Sequence, residues 1–152
     1  MSAIVADILA DAYVIHREQL AFHEIGHALI AHRCGRTVGR IEVNSRGGCM
    51  RSEGVSSPLI GLLCAISGDR AEYLAAECAQ ALVGFGHNQD QRDAERCLNL
   101  IASGPIEREW ILEDARRQVD EVLEQERDRL DRIARMLLQR RTLEARELRT
   151  FL

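Results

Sequence analysis

From Gln19 to His32 the chain reads "QLAFHEIGHALIAH", and the way this stretch folds decides how the rest is read. Residues four apart share one side of a helix. Leu20, His23, His27 and Ile30 therefore line one face, with Ile25 and Leu29 beside it. The pattern predicts a helix over about residues 14–34. Gly35 follows at the position where a left-handed C-cap is common.

Downstream the character changes. Over about residues 37–54, Thr37, Val38, Ile41 and Val43 favour strand, alternation puts Ile41 and Val43 on one face, and "NSRGG" marks a turn before "CMRSE". A small hairpin or sheet edge is expected there, as the one β region. Ser57-Pro58 is a good N-cap and first-turn pair opening central helices over about 57–103, with a break near Ser67-Gly68. "GFGHNQD" is a glycine-punctuated loop, and Ala94, Cys97, Leu98 and Ile101 face inward on the helix after it. Gly104-Pro105 starts a C-terminal helical segment, about 105–152. There Trp110, Ile111, Ala115, Val119, Val122 and Leu123 recur at helical spacing, then Leu130, Ile133, Leu137 and Leu138. One long kinked helix or two antiparallel helices fit this segment, with Thr142-Leu143 leading into a terminal turn. The class is mainly α with a minor β element, in one domain over 1–152.

Composition sets bounds on this reading. The chain has 152 residues, 46% hydrophobic and 29% charged, enough for one substantial core. At 4% aromatic that core must be built from Leu, Ile, Val and Ala. The net charge of −4 and the lack of a long basic run argue against nucleic-acid or membrane-surface partners. All basic side chains are arginine. Five cysteines, widely spread and without a CxxC pair, argue against a disulfide framework and for a cytoplasmic location. The N-terminal "MSAIVADILADAYVI" carries Asp7 and Asp11 without a basic leader, so it is not read as a signal peptide. No run approaches the length of about 20 apolar residues that a membrane span needs.

Within the opening stretch, "HEIGH" carries chemistry. His23 and His27, one turn apart, can each offer a ring nitrogen to one metal ion, and Glu24 lies one residue off that face, where it can reach a water molecule without ligating. Gly26 costs the helix roughly 1 kcal/mol relative to Ala, a cost easier to understand if another segment packs closely there. The alternative is a polar patch on an ordinary amphipathic helix. A hydrolytic zinc site needs a third protein ligand and one open position. His32, Asp69, Glu72, His87, Asp90 and Asp93 are the candidates. His32 lies too far around the helix, and spacing does not choose among the others.

"AFHEIGHALIAH" resembles the zinc-helix signature of the peptidase domain of FtsH-type ATP-dependent zinc proteases. "SGDRAE" at Ser67–Glu72 is similar to that family's G-G-R-x-A-E segment, with Asp69 in place of its arginine. "NQDQRDAERC" resembles the segment that supplies the family's aspartate ligand, and the C-terminal helices resemble its closing helices. The likeness spans roughly Val14 to Leu152. It implies a helical zincin-like peptidase domain holding Zn2+ through His23, His27 and Asp90, with Glu24 as general base and Glu72 supporting a ligand histidine.

The sequence also departs from that family, because it carries no phosphate-loop motif and its connecting segments are shorter. The leading expectation is a zinc metalloendopeptidase without its own ATPase, acting on a peptide or unfolded protein. The edge of a strand at Arg40, Ile41, Glu42, Val43 and Asn44 is where such a substrate would pair. A separate ATPase or adaptor and a homo-oligomer are the partners that remain open. The rival expectation is a non-catalytic zinc-containing interaction module derived from such a peptidase.

Overall fold

The computed structural model describes residues 3–44, 47–54, 56–75 and 88–152, with side chains from His16 onward. Helix α1 (Ala3–Arg33) leads into β1 (Thr37–Asn44) and β2 (Gly47–Glu53), then α2 (Pro58–Ala75) and α3 (Asn88–Ile101). The C-terminal part comprises α4 (Pro105–Gln125), α5 (Arg127–Arg140), β3 (Thr142–Glu144) and α6 (Ala145–Phe151). The class is mainly α with a small antiparallel sheet, ordered β2-β1-β3.

α1 is the central post. Ala21, Ile25, Ala28, Leu29 and Ala31 are all buried on it, together with His23, Glu24 and His27. From Gln19 to Ala31 the helix is enclosed on nearly every side, so both histidines face packed neighbours rather than water. It starts earlier than the expected residue 14 and stops where expected. Gly35 takes a φ of +76°, its N–H reaches the carbonyl of His32, and the N–H of Arg36 reaches that of Ala31, both at 2.9 Å. That bond pair is the Schellman closure, and its left-handed residue suits glycine.

Ser57 caps α2 as its sequence predicts, accepting a hydrogen bond from the Ile60 N–H at 3.2 Å. The expected break at Ser67-Gly68 is absent, because α2 continues through both residues to Ala75. The central helix expected beyond Ala75, most of the "GFGHNQD" loop, Cys78 and His87 lie outside the described residues. Of the two C-terminal alternatives the long helix is the nearer. The ladder passes through Glu126, whose N–H bonds to Val122 and whose carbonyl accepts from Leu130, so α4 and α5 follow one another with a single residue between.

The sheet departs from expectation in one consequential way. Thr142-Leu143 does not lead into a turn. It forms β3, pairing Arg40 with Glu144, Ile41 with Leu143 and Glu42 with Thr142. β1 therefore lies in the middle of the sheet, and its expected role as an exposed edge at Arg40–Asn44 is overturned. Among the described residues the unpaired edge beside α1 belongs to β2. A register shift between Val38 and Arg40 resets the alternation, so that Val38, Ile41 and Val43 all point into the core.

The main core joins α1, β1, α5, β3 and α6 through Leu29, Ile41, Ile133, Leu137, Leu143 and Leu148. A smaller cluster of Leu62, Leu98 and Ala115 ties α2, α3 and α4 together. Trp110 does not join either cluster. It is 75% exposed, against the helical spacing that grouped it with core positions.

Candidate metal centre

Three elements meet at the histidines. α1 supplies His23 and His27, α2 crosses behind them, and the first turn of α3 brings Asp90 in from the other side. The crossing is close because small residues face each other there. A Cβ added at Gly26 would fall 2.5 Å from the Ala71 Cβ and 2.7 Å from the Ser67 carbonyl oxygen. One added at Gly68 would fall 2.4–2.6 Å from three atoms of the His23 ring. Gly68 is therefore no helix breaker: its bare backbone is the wall against which the His23 ring lies.

The outer nitrogen of each ring is fixed by α2. His23 Nδ1 faces a Glu72 carboxylate oxygen at 2.7 Å, and Glu72 is 1% exposed. Asp69 stands farther back, 3.8 Å from the same nitrogen. His27 Nδ1 faces the Cys64 carbonyl at 2.7 Å and Ser67 Oγ at 3.2 Å. That hydroxyl donates to the same carbonyl, which leaves its lone pairs to accept from His27. These partners are acceptors, so each ring carries its proton on Nδ1 and turns a bare Nε2 inward.

The two Nε2 atoms lie 2.9 Å apart. Asp90 Oδ2 is 3.0 Å from the first and 3.4 Å from the second. Two nitrogen lone pairs and a carboxylate oxygen converging in this way repel one another unless a proton or a cation lies among them. Ligands at roughly 2.0–2.2 Å around a tetrahedral zinc ion stand about 3.3 Å from each other, inside the 2.9–3.4 Å range of the separations here. His23, His27 and Asp90 are thus a donor set that fits a divalent metal, and among the described residues the other such group is His23 with Asp69 and Glu72. His32 is exposed at the far end of α1 and takes no part, and Asp93 lines the neighbouring cleft without joining the donors.

The electrostatics describe the same balance without a metal. Burial works to lower the pKa of His23, but its hydrogen bonds to Asp90 and Glu72 and the charges of Glu72 and Glu24 outweigh it, raising it from 6.5 to about 10. Burial works to raise that of Asp90, and His23 and His27 overcome it, holding the carboxyl well below the usual range. In the metal-free protein a proton on His23 therefore does the cation's work. Its stabilising effect is complete below pH 6.5 and is lost as pH rises through about 10. A divalent metal binding these donors at pH 7 should accordingly release a proton, and its affinity should rise with pH toward 10. Calorimetry in two buffers of different ionisation enthalpy measures this; no proton release at pH 7 would refute it. Asp90→Ala removes one donor of three and should lower bound zinc well below one per chain by elemental analysis. Unchanged stoichiometry would mean another third ligand.

Glu24 is buried on α1, next to the donor set. Its carboxylate lies against the β2 backbone, where a Cβ added at Gly48 would fall 2.3 Å from Oε1. A cleft of about 900 Å³ opens on this side, lined by Leu20, His23, Glu24, Gly48, Met50 and Cys97 among others. Among the described residues only one edge of β2 is paired, and Gly47–Met50 lie along the cleft. That β2 rather than β1 carries the unpaired edge could not be read from the sequence, because it depends on β3 claiming the other side of β1. Cys34, Cys49, Cys64 and Cys97 are free thiols. No helix among the described residues is long and apolar enough to cross a membrane.

The chain matches no protein-family model, and no curated protein is significantly similar to it.

Proposed function

We propose that this protein is a zinc-dependent metalloendopeptidase of the HExxH type. The carrying observation is the convergence of His23 Nε2, His27 Nε2 and Asp90 Oδ2 within 2.9–3.4 Å, with a buried carboxylate one residue from the first histidine. The zincin-like character of the domain and the likeness to FtsH-type peptidases in "HEIGH" and the Asp90 segment belong to the same proposal.

In this reading His23, His27 and Asp90 would hold a zinc ion, which would supply Lewis acidity to a water molecule and to the substrate carbonyl. Glu24 takes the proton of the attacking water and hands it to the leaving amine nitrogen. Glu72 and the Cys64 carbonyl hold the two rings in the tautomer that exposes Nε2. An extended peptide adds to the free edge of β2, beside Gly47–Met50, using main-chain hydrogen bonds that do not depend on its sequence. This replaces the edge expected at Arg40–Asn44.

The rival, a zinc-containing interaction module, has less support. Such a module needs no glutamate at position 24, and a purely structural zinc site has four protein ligands, whereas three converge here among the described residues. The test is cleavage of an unfolded protein, without ATP, by purified protein of measured zinc content. Zinc-dependent cleavage, lost on chelation and restored by zinc, is expected. Full zinc occupancy without cleavage of any unfolded substrate would favour the module.

A further inference from the structure

Away from the metal centre, the turn joining α3 to α4 is unusually apolar. Leu100 is 68% exposed, Ile106 74% and Trp110 75%. The turn is held in shape by Arg108, which bonds to Asn99 at 2.6 Å and to Glu95. A stable tip of this kind leaves apolar area in water that burial against another surface would remove, and tryptophan is the side chain most often found anchoring an interface.

The surroundings of Trp110 specify the chemistry of what covers it. A groove of about 490 Å³ beside the indole is lined by Glu109, Glu113, Asp114 and Arg117. Its one guanidinium is already committed to Asp114 and Glu121. Over its length α4 carries seven carboxylates against three arginines. The chain's own next helix has the opposite balance, since α5 carries five arginines against two aspartates. Asp128, Arg132, Arg135 and Gln139 recur there at i, i+4, i+7 and i+11, and all four are exposed. Among the described residues no ion pair engages Arg132 or Arg135. The half-buried Met136 and Leu138 flank them.

From this polarity we infer that the molecule associates with a second copy of itself, the acidic Trp110 tip of one chain seating on the Arg132/Arg135 face of α5 in its partner. The contact is head-to-tail, because the two surfaces differ and two acidic tips would repel. Arginine stacked on the indole, with carboxylates around it, supplies attraction and register together. The inference does not depend on the metal or on hydrolysis.

Trp110 is the only tryptophan, so its emission reports the contact directly. Sedimentation velocity and fluorescence of the full chain, over a range of concentrations, should show association with a blue shift at low salt and monomers at high salt. Trp110→Ser, Glu113→Arg and the pair Arg132→Glu with Arg135→Glu should each give monomers with unchanged circular dichroism. Mixing the Glu113→Arg chain with the Arg132→Glu/Arg135→Glu chain should restore association. A wild-type chain that stays monomeric at low salt overturns the inference. So does association that survives loss of either surface, or a mixture in which no association returns. Stripping the metal should leave all of these results in place.

Discussion

Glu24→Gln should retain the wild-type zinc content and lose peptide cleavage by about 10²–10⁴-fold. Glutamine keeps the volume and a carbonyl oxygen, so the buried niche against Gly48 stays filled. What goes is the capacity to accept the water's proton at neutral pH. The helix should not suffer, because glutamine and glutamate have nearly equal propensities. Elemental analysis and a cleavage assay on the same preparation measure the two effects separately, and comparable turnover by both proteins would sink the assignment of Glu24 as base. Gly48→Ala approaches the carboxylate from the other side. The added Cβ would overlap Oε1 and must push it aside, so turnover should fall at least tenfold while zinc stays bound. If Gly48→Ala cuts zinc content instead, Glu24 is positioned for the metal rather than for water.

How much of this was legible in the sequence varied with the range of the interaction involved. The placing of His23, His27 and Glu24 together follows from helical spacing inside five residues, and the structure has all three buried. Gly35 as a C-cap and Ser57 as an N-cap are equally local and hold. The third donor needed a likeness to another family, because the meeting of α3 with α1 leaves no trace in spacing. β3 was missed for a related reason. Three residues, Thr142–Glu144, have no periodicity to read, and their strand exists only because β1 has a side to offer. That single omission left β1 looking like an edge strand, when it is the central one. Trp110 shows the converse error: its spacing matched the core positions of α4, but periodicity ranks a residue's direction around a helix without saying whether anything lies there.

Gly26→Ala should destabilise the protein, although the same change in an exposed helix would stabilise it by about 1 kcal/mol. The sign reverses because the methyl would overlap the Ala71 Cβ and the Ser67 carbonyl oxygen, neither of which can rotate away. Only a separation of α1 from α2 makes room, and overpacking of this kind costs about 1–3 kcal/mol, or several degrees in Tm for a chain of this size. The effect should reach the donors too. His23 and His27 flank Gly26, and both rings are held by α2 through Glu72, Cys64 and Ser67. Parting the helices lengthens those bonds, so zinc affinity should fall by about 10–100-fold, as it does when such supporting contacts are lost elsewhere. Gly104→Ala is the control, since nothing lies within 4 Å of its added Cβ. Pairing Gly26→Ala with Ala71→Gly removes one of the two overlaps and should recover part of both losses, with the Ser67 carbonyl still in the way. Equal Tm and equal zinc affinity for Gly26→Ala and wild type would mean that this crossing is looser than 2.5 Å implies. The glycine inside "HEIGH" would then be dispensable, and the motif's three polar residues would hold their geometry without help from the helix behind them.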